Sequence, residues 1–487
     1  MKGPQSEAPW GGMHPARAGV SVSAGRARRL SMSGRISLND AALVLVLVFF
    51  GISGAIPGIA PNQASAMTGT PASHFQAVVG IGSQLLIDLF LCSLVLRHAR
   101  LGLRYVRLLW APLALGLWAV ASVCWSIDPL LTARRAFPFL LAAGFGALLS
   151  LRMPPRRVLV LVLAAFTVLA LWSAVLAIGF PSIGLDASTG HHGDWQGAFT
   201  QKNACGRGMV VALAALLAAG PGKPGTLNAL RSGFLAILFG AELFLSGSRG
   251  AWLIAAIVLM AIPALRVMHR LRPGFRIAIL TAGAAALLLL GVGAALHFAQ
   301  IAPLLGRDAT LSGRTEIWQQ VWIAILHRPW LGYGFSAFWQ GFSGPSWNVV
   351  VALRFVLFHA HNGFLEIWLE LGACGLVIFL ATLLRAVVLL WPELRGGRMD
   401  RAAWPLAILL LTVLYDLDEN TLLSFNGLFW VLYTGALVQI EQLAAERRSG
   451  FRVAPGRSPA WSRESTNHSP LHVPSALVAR GMESPWL

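Results

Sequence analysis

A few short polar motifs interrupt an otherwise apolar chain, and they hold the residue types able to move protons or grip anions. They are Trp125-Ser126-Ile127-Asp128-Pro129, Phe199-Thr200-Gln201-Lys202-Asn203, Leu245-Ser246-Gly247-Ser248-Arg249-Gly250-Ala251, Gly313-Arg314-Thr315-Glu316-Ile317-Trp318 and His359-Ala360-His361-Asn362. Imidazole exchanges protons near neutral pH, so His361 and His359 are the candidate bases. His361 directly precedes the Asn362-Gly363 that opens an apolar run, and two residues of loop leave either ring free to turn inward. The plainer reading is a histidine that caps the following helix. Guanidinium matches two phosphate oxygens with its forked donors. Arg249 stands in a Gly/Ser turn that allows close approach to a headgroup, Arg314 follows a glycine, and Lys202 adds a point charge. Their plainer reading is interfacial cations on ordinary phospholipid phosphate. His327, His191 and His192 read as ordinary loop residues.

The elements that must position these groups are membrane helices. The chain has 487 residues, of which 56% are hydrophobic and only 12% charged, and its mean hydropathy is +0.66. A soluble domain of this length needs more charge to cover its surface. About 20 residues cross a ~30 Å hydrocarbon core, and runs of that length recur. Inside the core every backbone N–H and C=O must be paired, which makes the runs helices; the period-2 alternation of a barrel is absent. The spans lie at roughly 40–60, 76–96, 107–126, 135–151, 158–179, 204–220, 231–246, 251–268, 277–298, 363–390, 403–420 and 423–441. This predicts an all-α polytopic membrane protein with about twelve transmembrane helices and one large loop containing short amphipathic helices.

The expected organisation is a disordered basic arm over 1–38, spans one to nine over 39–298, the large loop over 299–362, spans ten to twelve over 363–441 and a second disordered tail over 442–487. Ala64-Ser65-Ala66 invites a signal-peptide reading, but the preceding run is long for one, and an uncleaved first span is expected. Most of the 38 Lys and Arg fall in alternate connections and the two tails. That imbalance places both termini in the cytoplasm and the polar motifs outside. The net charge of +18 is thus a topology device that also touches anionic lipid, with no nucleic-acid partner implied. Four scattered cysteines give neither a disulfide framework nor a zinc site. In the large loop Ile317, Val321, Trp322 and Ile325 share one helical face suited to the membrane surface, and Trp318, Trp322, Trp330, Trp339 and Trp347 suit an interfacial belt or stacking on sugar rings.

The acids are harder to read. Glu366 and Glu370, one turn apart on the tenth span, must face protein or a wet cavity. Glu366 is placed to orient a histidine or bind a sugar hydroxyl, with Asn362 beside it, or else to partner Arg314 or Arg354. Asp128, with Arg134 and Arg135, either shapes an anion site or ends a turn. Asp416-Leu417-Asp418 has the D-x-D form used with divalent metal, but with Glu419 beside it a solvated helix cap is the expectation, and no metal site is assigned.

The motifs F-T-Q-K-N, S-G-S-R-G-A, G-R-T-E-I-W with R-P-W-L-G-Y-G, and H-A-H-N-G-F-L-E-I-W-L-E-L-G occur in that order across about residues 120–390. In this the chain resembles the O-antigen ligase / Wzy-type polysaccharide polymerase family, in particular exopolysaccharide polymerases of the succinoglycan type. The resemblance implies a bacterial inner-membrane enzyme with no cofactor. Its reaction is inverting, metal-independent glycosyl transfer at the periplasmic face, from an undecaprenyl-pyrophosphate-linked glycan to a sugar hydroxyl. The catalytic residues would be His361 or His359, with Arg249, Arg314 and Lys202 on pyrophosphate and Glu366 and Asn362 orienting the acceptor. Polymerising repeat units is the leading expectation, with a chain-length regulator and export machinery as further partners. Transfer onto a lipid A core, the ligase reaction, uses the same donor. A secondary transporter or flippase is the reading from another class, with Asp88, Glu242, Glu366 and Glu370 as coupling sites; polar groups crowded on one face argue against it.

Overall fold

The computed structural model describes residues 38–57, 73–186, 193–220, 226–268, several positions between 270 and 282, and 313–449. Residues 1–37 and 450–487, most of the span expected at 277–298 and the first part of the large loop therefore lie outside the described residues, as do His191 and His192; the stretch 442–449, expected as part of the second tail, continues the last helix. The described helices of eight residues or more are α1 (Leu38–Gly51), α2 (His74–Arg97), α3 (Val106–Ala121), α4 (Pro129–Arg152), α5 (Pro155–Gly179), α6 (Lys202–Ala219), α7 (Thr226–Leu245), α8 (Arg249–Met268), α9 (Arg314–His327), α10 (Ser346–Leu353), α11 (Gly363–Arg395), α12 (Met399–Asp416) and α13 (Leu428–Ser449). Among the described residues there are no strands, only an isolated bridge between Leu185 and Trp195. Nine of these helices are long and apolar enough to cross a membrane, so the chain is an all-helical, multi-pass membrane protein. The expected first span forms a helix of only 14 residues.

Helix starts follow local chemistry. Ser73 and Gln76 form a reciprocal capping box on α2, and Asp128 accepts from the Leu131 N–H at 3.0 Å ahead of Pro129 on α4. The core is centred on α4 and α13. Trp430 stacks on Phe139 with ring centroids 4.3 Å apart, and its indole N–H donates to the Phe139 carbonyl at 2.8 Å. A Cβ at Gly146 would lie 2.2 Å from the Val431 carbonyl oxygen, which is the close backbone approach that small residues allow where lipid gives no hydrophobic drive. α2 is peripheral and keeps Leu85, Leu86 and Leu89 exposed, as a lipid-facing helix should. At the end away from the polar motifs, Arg385–Glu441 (2.5 Å), Arg398–Glu393 (2.6 Å) and Arg447–Glu393 (3.2 Å) tie α11, its following turn and α13 together.

Two features set the site's frame. First, α9 does not lay its apolar face on the membrane. Ile317, Val321 and Ile325 are buried with Tyr333, Phe338, Val349, Leu357, Ala360 and Leu369, because the loop supplies its own apolar partner; Trp322 alone of that set stays exposed. Second, α11 is broken at Gly372, whose φ of 70° and ψ of −177° are non-helical. The freed backbone groups pair with the R-P-W-L-G-Y-G segment. Ala373 N–H donates to Pro329 (2.8 Å) and Cys374 N–H to Trp330 (3.3 Å), while Tyr333 and Gly334 N–H donate to Leu369 (3.1 Å) and Glu370 (2.9 Å). A break in a membrane helix is tolerated when neighbours satisfy it in this way. It docks the loop onto the span.

Candidate functional site

The turn carrying the histidines is fixed from both sides. Asn362 caps α11 by accepting from the Leu365 N–H at 3.0 Å. Ala360, between the two histidines, donates its N–H to Glu366 at 2.7 Å and accepts from the Trp318 indole at 3.1 Å. His361 has a φ of +51°, a left-handed conformation that a non-glycine residue holds only when its surroundings impose it. The two imidazole centroids stand 4.1 Å apart.

Against this turn comes the end of α12. Asp416 Oδ1 accepts from the Thr421 N–H and hydroxyl, both at 2.8 Å, and from the Leu422 N–H at 3.3 Å, which shapes the chain after the helix. A Cβ at Gly363 would lie 2.4 Å from that same oxygen, so glycine lets α11 and α12 meet here. Glu419 then reaches His361 Nδ1 at 3.2 Å and His359 Nε2 at 3.9 Å. Arg314 Nη2 lies 3.6 Å from Glu419, and its other amine forms an ion pair with Asp418. The expected solvated cap is corrected here. Asp416 is fully buried and Glu419 only 4% exposed, because the returning α12 tucks the acids beneath the histidine turn.

The cations gather at the same place. Arg249 begins α8, and a Cβ at neighbouring Gly250 would lie 2.8 Å from Asp418 Oδ2, so the S-G-S-R-G-A turn abuts the acid that pairs with Arg314. Asn203 accepts from Ser248 at 3.0 Å, and Lys202 pairs with Asp194 at 2.7 Å, which in turn lies against Gly247. Thus His361, His359, Arg249, Arg314, Lys202 and Asn362 come from four separate stretches of chain to one end of the bundle. Glu366 is 1% exposed and also accepts from the Trp339 indole at 2.8 Å; it holds the backbone of the histidine turn. Asp128 and its neighbours hold the loop instead: Arg135 donates to the Ser336 carbonyl at 2.7 Å, and Gly334 lies against Ser126.

Charge sorts the two histidines. Burial, the neighbouring His361 and the charges of Arg207 and Arg314 push His359 down to about 3, against the pull of Glu419, so it is neutral near pH 7. Burial pushes Glu419 up, but the hydrogen bond from His361 and the positive charge around it prevail and bring it to about 2. His359 Nδ1 accepts the His361 backbone N–H at 3.2 Å, so the ring of neutral His359 carries its proton on Nε2. His361 Nδ1–H donating to Glu419 leaves its Nε2 lone pair available. His359, His361 and Glu419 offer donor atoms within 4.8 Å of one another, the spacing of a three-ligand metal cluster. The donor set fits a metal poorly, since the His359 nitrogen facing Glu419 holds a proton and two arginines act on the same acid.

Reading the residues alone missed Glu419 and Arg207. Glu419 was visible as an acid at the end of a span returning to the motif-bearing face. Arg207 was visible as a charged residue within an apolar span, five positions after Lys202.

A multi-pass membrane protein with imidazole, carboxylate and guanidinium converging at one end of its helices is the class the fold and site define. Residues 234–380 match the family model described as O-Antigen ligase, in line with the resemblance drawn from the motifs. It is also 30% identical over 294 residues to the Exopolysaccharide production protein ExoQ of Rhizobium meliloti (strain 1021), a match spanning 58% of this chain and 65% of that relative's length. The matched family segment includes Arg249, Arg314 and both histidines, and Glu419 follows it.

Proposed function

We propose that this protein transfers a glycan from a polyprenyl-pyrophosphate carrier to a sugar hydroxyl at the periplasmic membrane face, extending an exopolysaccharide. The observation that carries this reading is the single turn at Asp418-Glu419, where the base and a phosphate-binding cation meet: His361 at 3.2 Å and Arg314 at 3.6 Å from Glu419. Glu419 holds the His361 ring with Nε2 free, and that nitrogen takes the acceptor hydroxyl's proton. The hydroxyl oxygen forms a bond to the anomeric carbon as the bond from that carbon to the pyrophosphate oxygen breaks. The electron pair leaves on pyrophosphate, where Arg249 and Arg314 offer forked donors and Lys202 a point charge. One displacement from the opposite face inverts the anomeric centre. Positive charge held by the protein does the work of a metal, so the reaction is expected to need none.

Exopolysaccharide production, in the relative's printed name, favours polymerisation over transfer to a lipid A core. A transporter reading draws on Glu242, a buried acid in α7 whose two oxygens have no hydrogen-bond partner among the described residues. The deciding experiment incubates purified protein with a defined lipid-pyrophosphate oligosaccharide and EDTA, without nucleotide sugar. Ladders of polymer support the enzyme. Their absence, with loss of transport on Glu242→Gln and not on His361→Ala, supports the transporter.

A further inference from the structure

The turn between α2 and α3, at the end of the bundle away from the polar motifs, carries arginines and no acid. One candidate span ends at Arg97 and the next begins at Val106, so the short stretch 98–105 reverses the chain at headgroup depth. It holds a six-residue helix, Ala99–Arg104. Helix-type bonds join that helix to its neighbours, from Gly102 N–H to His98 and from Tyr105 N–H to Leu101, both 3.1 Å. Leu101, Tyr105 and Leu108 pack with Leu109 against Ala147 and Leu151 of α4 and Val438 of α13, which fixes the side of the turn that faces outward. That side presents two stripes. Arg97, Arg100, Arg104 and Arg107 follow in steps of three, four and three, the spacing of one helical face, and all four are exposed. Leu96, Leu103 and Val106 each directly precede one of them and, with Trp110, are also exposed, Leu103 by 74%.

Elsewhere at this end arginines are tied to acids: Arg157 to Asp40, Arg385 to Glu441, Arg401 to Glu446, and Arg398 and Arg447 to Glu393. The four on this turn make no side-chain hydrogen bond or ion pair with any described residue, and no Asp or Glu occurs between Asp88 and Asp128. A topology signal needs only a number of basic residues on one side. It does not require them on one face, unpaired, with an apolar stripe alongside. Guanidinium forks match phosphate oxygens, and exposed leucine and tryptophan at headgroup depth lie against acyl chains. Phosphate above hydrocarbon is the layout of a phospholipid. Arg97 with Arg100 and Arg104 with Arg107 make two pairs whose midpoints are about 10 Å apart along the axis, which suits a headgroup bearing two phosphates. A free phosphate or nucleic acid would leave the apolar stripe in water, and an acidic protein would have to displace lipid from a turn this short.

We infer that the face formed by Arg97, Arg100, Arg104 and Arg107 is a binding site for an anionic phospholipid of the adjoining leaflet, and for diphosphatidylglycerol ahead of lipids with one phosphate. It lies at the opposite end from the histidine turn and does not depend on the glycosyl-transfer reading. The whole chain, purified in a neutral detergent, is titrated with diphosphatidylglycerol, phosphatidylglycerol and phosphatidylcholine, and bound lipid is counted by native mass spectrometry. Wild type should bind them in that order of affinity, and inorganic phosphate should not displace the first. Arg100→Gln with Arg104→Gln should weaken diphosphatidylglycerol by about 10- to 100-fold, the loss of one or two charge-assisted bonds. Arg156→Gln with Arg395→Gln removes the same charge from exposed positions outside the face and should bind as wild type does. Lysine at all four positions keeps the charge count that sets topology, so this variant should insert even if the glutamine pair does not, and should bind more weakly for want of the fork. Equal losses in the two glutamine pairs, or wild-type affinity in the four-lysine variant, overturn the site. Displacement by inorganic phosphate overturns the lipid as its ligand. Capture of polyglutamate through Arg100 and Arg104, with no preference between anionic and zwitterionic lipid, overturns it in favour of an acidic protein partner.

Discussion

His361 holds its left-handed backbone because Asn362, Ala360 and Glu419 constrain it together, and that constraint makes its role testable. Replacing a general base removes about 10²- to 10⁴-fold of rate, so His361→Ala, at normal abundance, should lower polymer yield by that order. Glu419→Gln keeps the shape but loses the charge that orients the ring, and should cost about 10- to 100-fold, the usual effect of an outer-shell partner. Equal losses for the two would make Glu419 more than an orienting group. Stability should also depend on pH with a defined sign. His359 falls from its ordinary 6.5 to about 3 in the fold, so below pH 6.5 the unfolded chain binds a proton that the fold refuses. Glu419 falls from 4.5 to about 2, so its stabilisation is complete above pH 4.5 and is lost as pH falls toward 2. Both effects run the same way. Thermal unfolding in detergent should show a melting temperature that declines from pH 6.5 downward, and His359→Gln should flatten the upper part of that decline.

The broken helix α11 is the element on which the site's precision rests. Gly372 has a positive φ, and a Cβ there would lie 2.0 Å from the Trp330 carbonyl oxygen, so no other residue permits both the break and the docked loop. Gly372→Ala should therefore undock the 329–334 segment, at a cost of about 1–3 kcal/mol for the backbone strain alone. Limited proteolysis should cut that segment faster, and activity should fall although residue 372 touches no reacting group. Much of this organisation was legible beforehand. Hydropathy located nine of the twelve expected spans because every lipid-exposed backbone must be helical, and the histidines and arginines announced themselves by standing in polar motifs between apolar runs. What hydropathy could not show was pairing at a distance. Asp416-Leu417-Asp418-Glu419 has the composition of a solvated cap; only the return of α12 to the histidine turn, with glycine at 363 allowing contact, makes Glu419 a buried partner. The apolar stripe of α9 was read correctly as a stripe, but periodicity gives a face and not what covers it.

At the scale of the whole molecule, the polar motifs share one end of the bundle because each belongs to a helix that starts or finishes there. α6, α8 and α11 begin at that end and α12 finishes there. The opposite end carries paired acids and arginines, including Arg398 with Glu393 and Arg401 with Glu446 at 3.3 Å. Charge asymmetry between the connections orients such a bundle with its basic side in the cytoplasm, and a periplasmic reaction requires that orientation. Single cysteines test it. Trp347, 46% exposed on α10, lies on the motif-bearing side, and exposed Arg395 closes α11 on the other. In a background lacking the four native cysteines, a thiol at 347 should react with an impermeant maleimide in intact spheroplasts, and a thiol at 395 only after permeabilisation. The reverse pattern would put the histidine turn in the cytoplasm, where lipid-linked glycans are still being assembled from nucleotide sugars. The acceptor chemistry drawn from His361 would then have to be rebuilt around a different donor, however well its geometry fits.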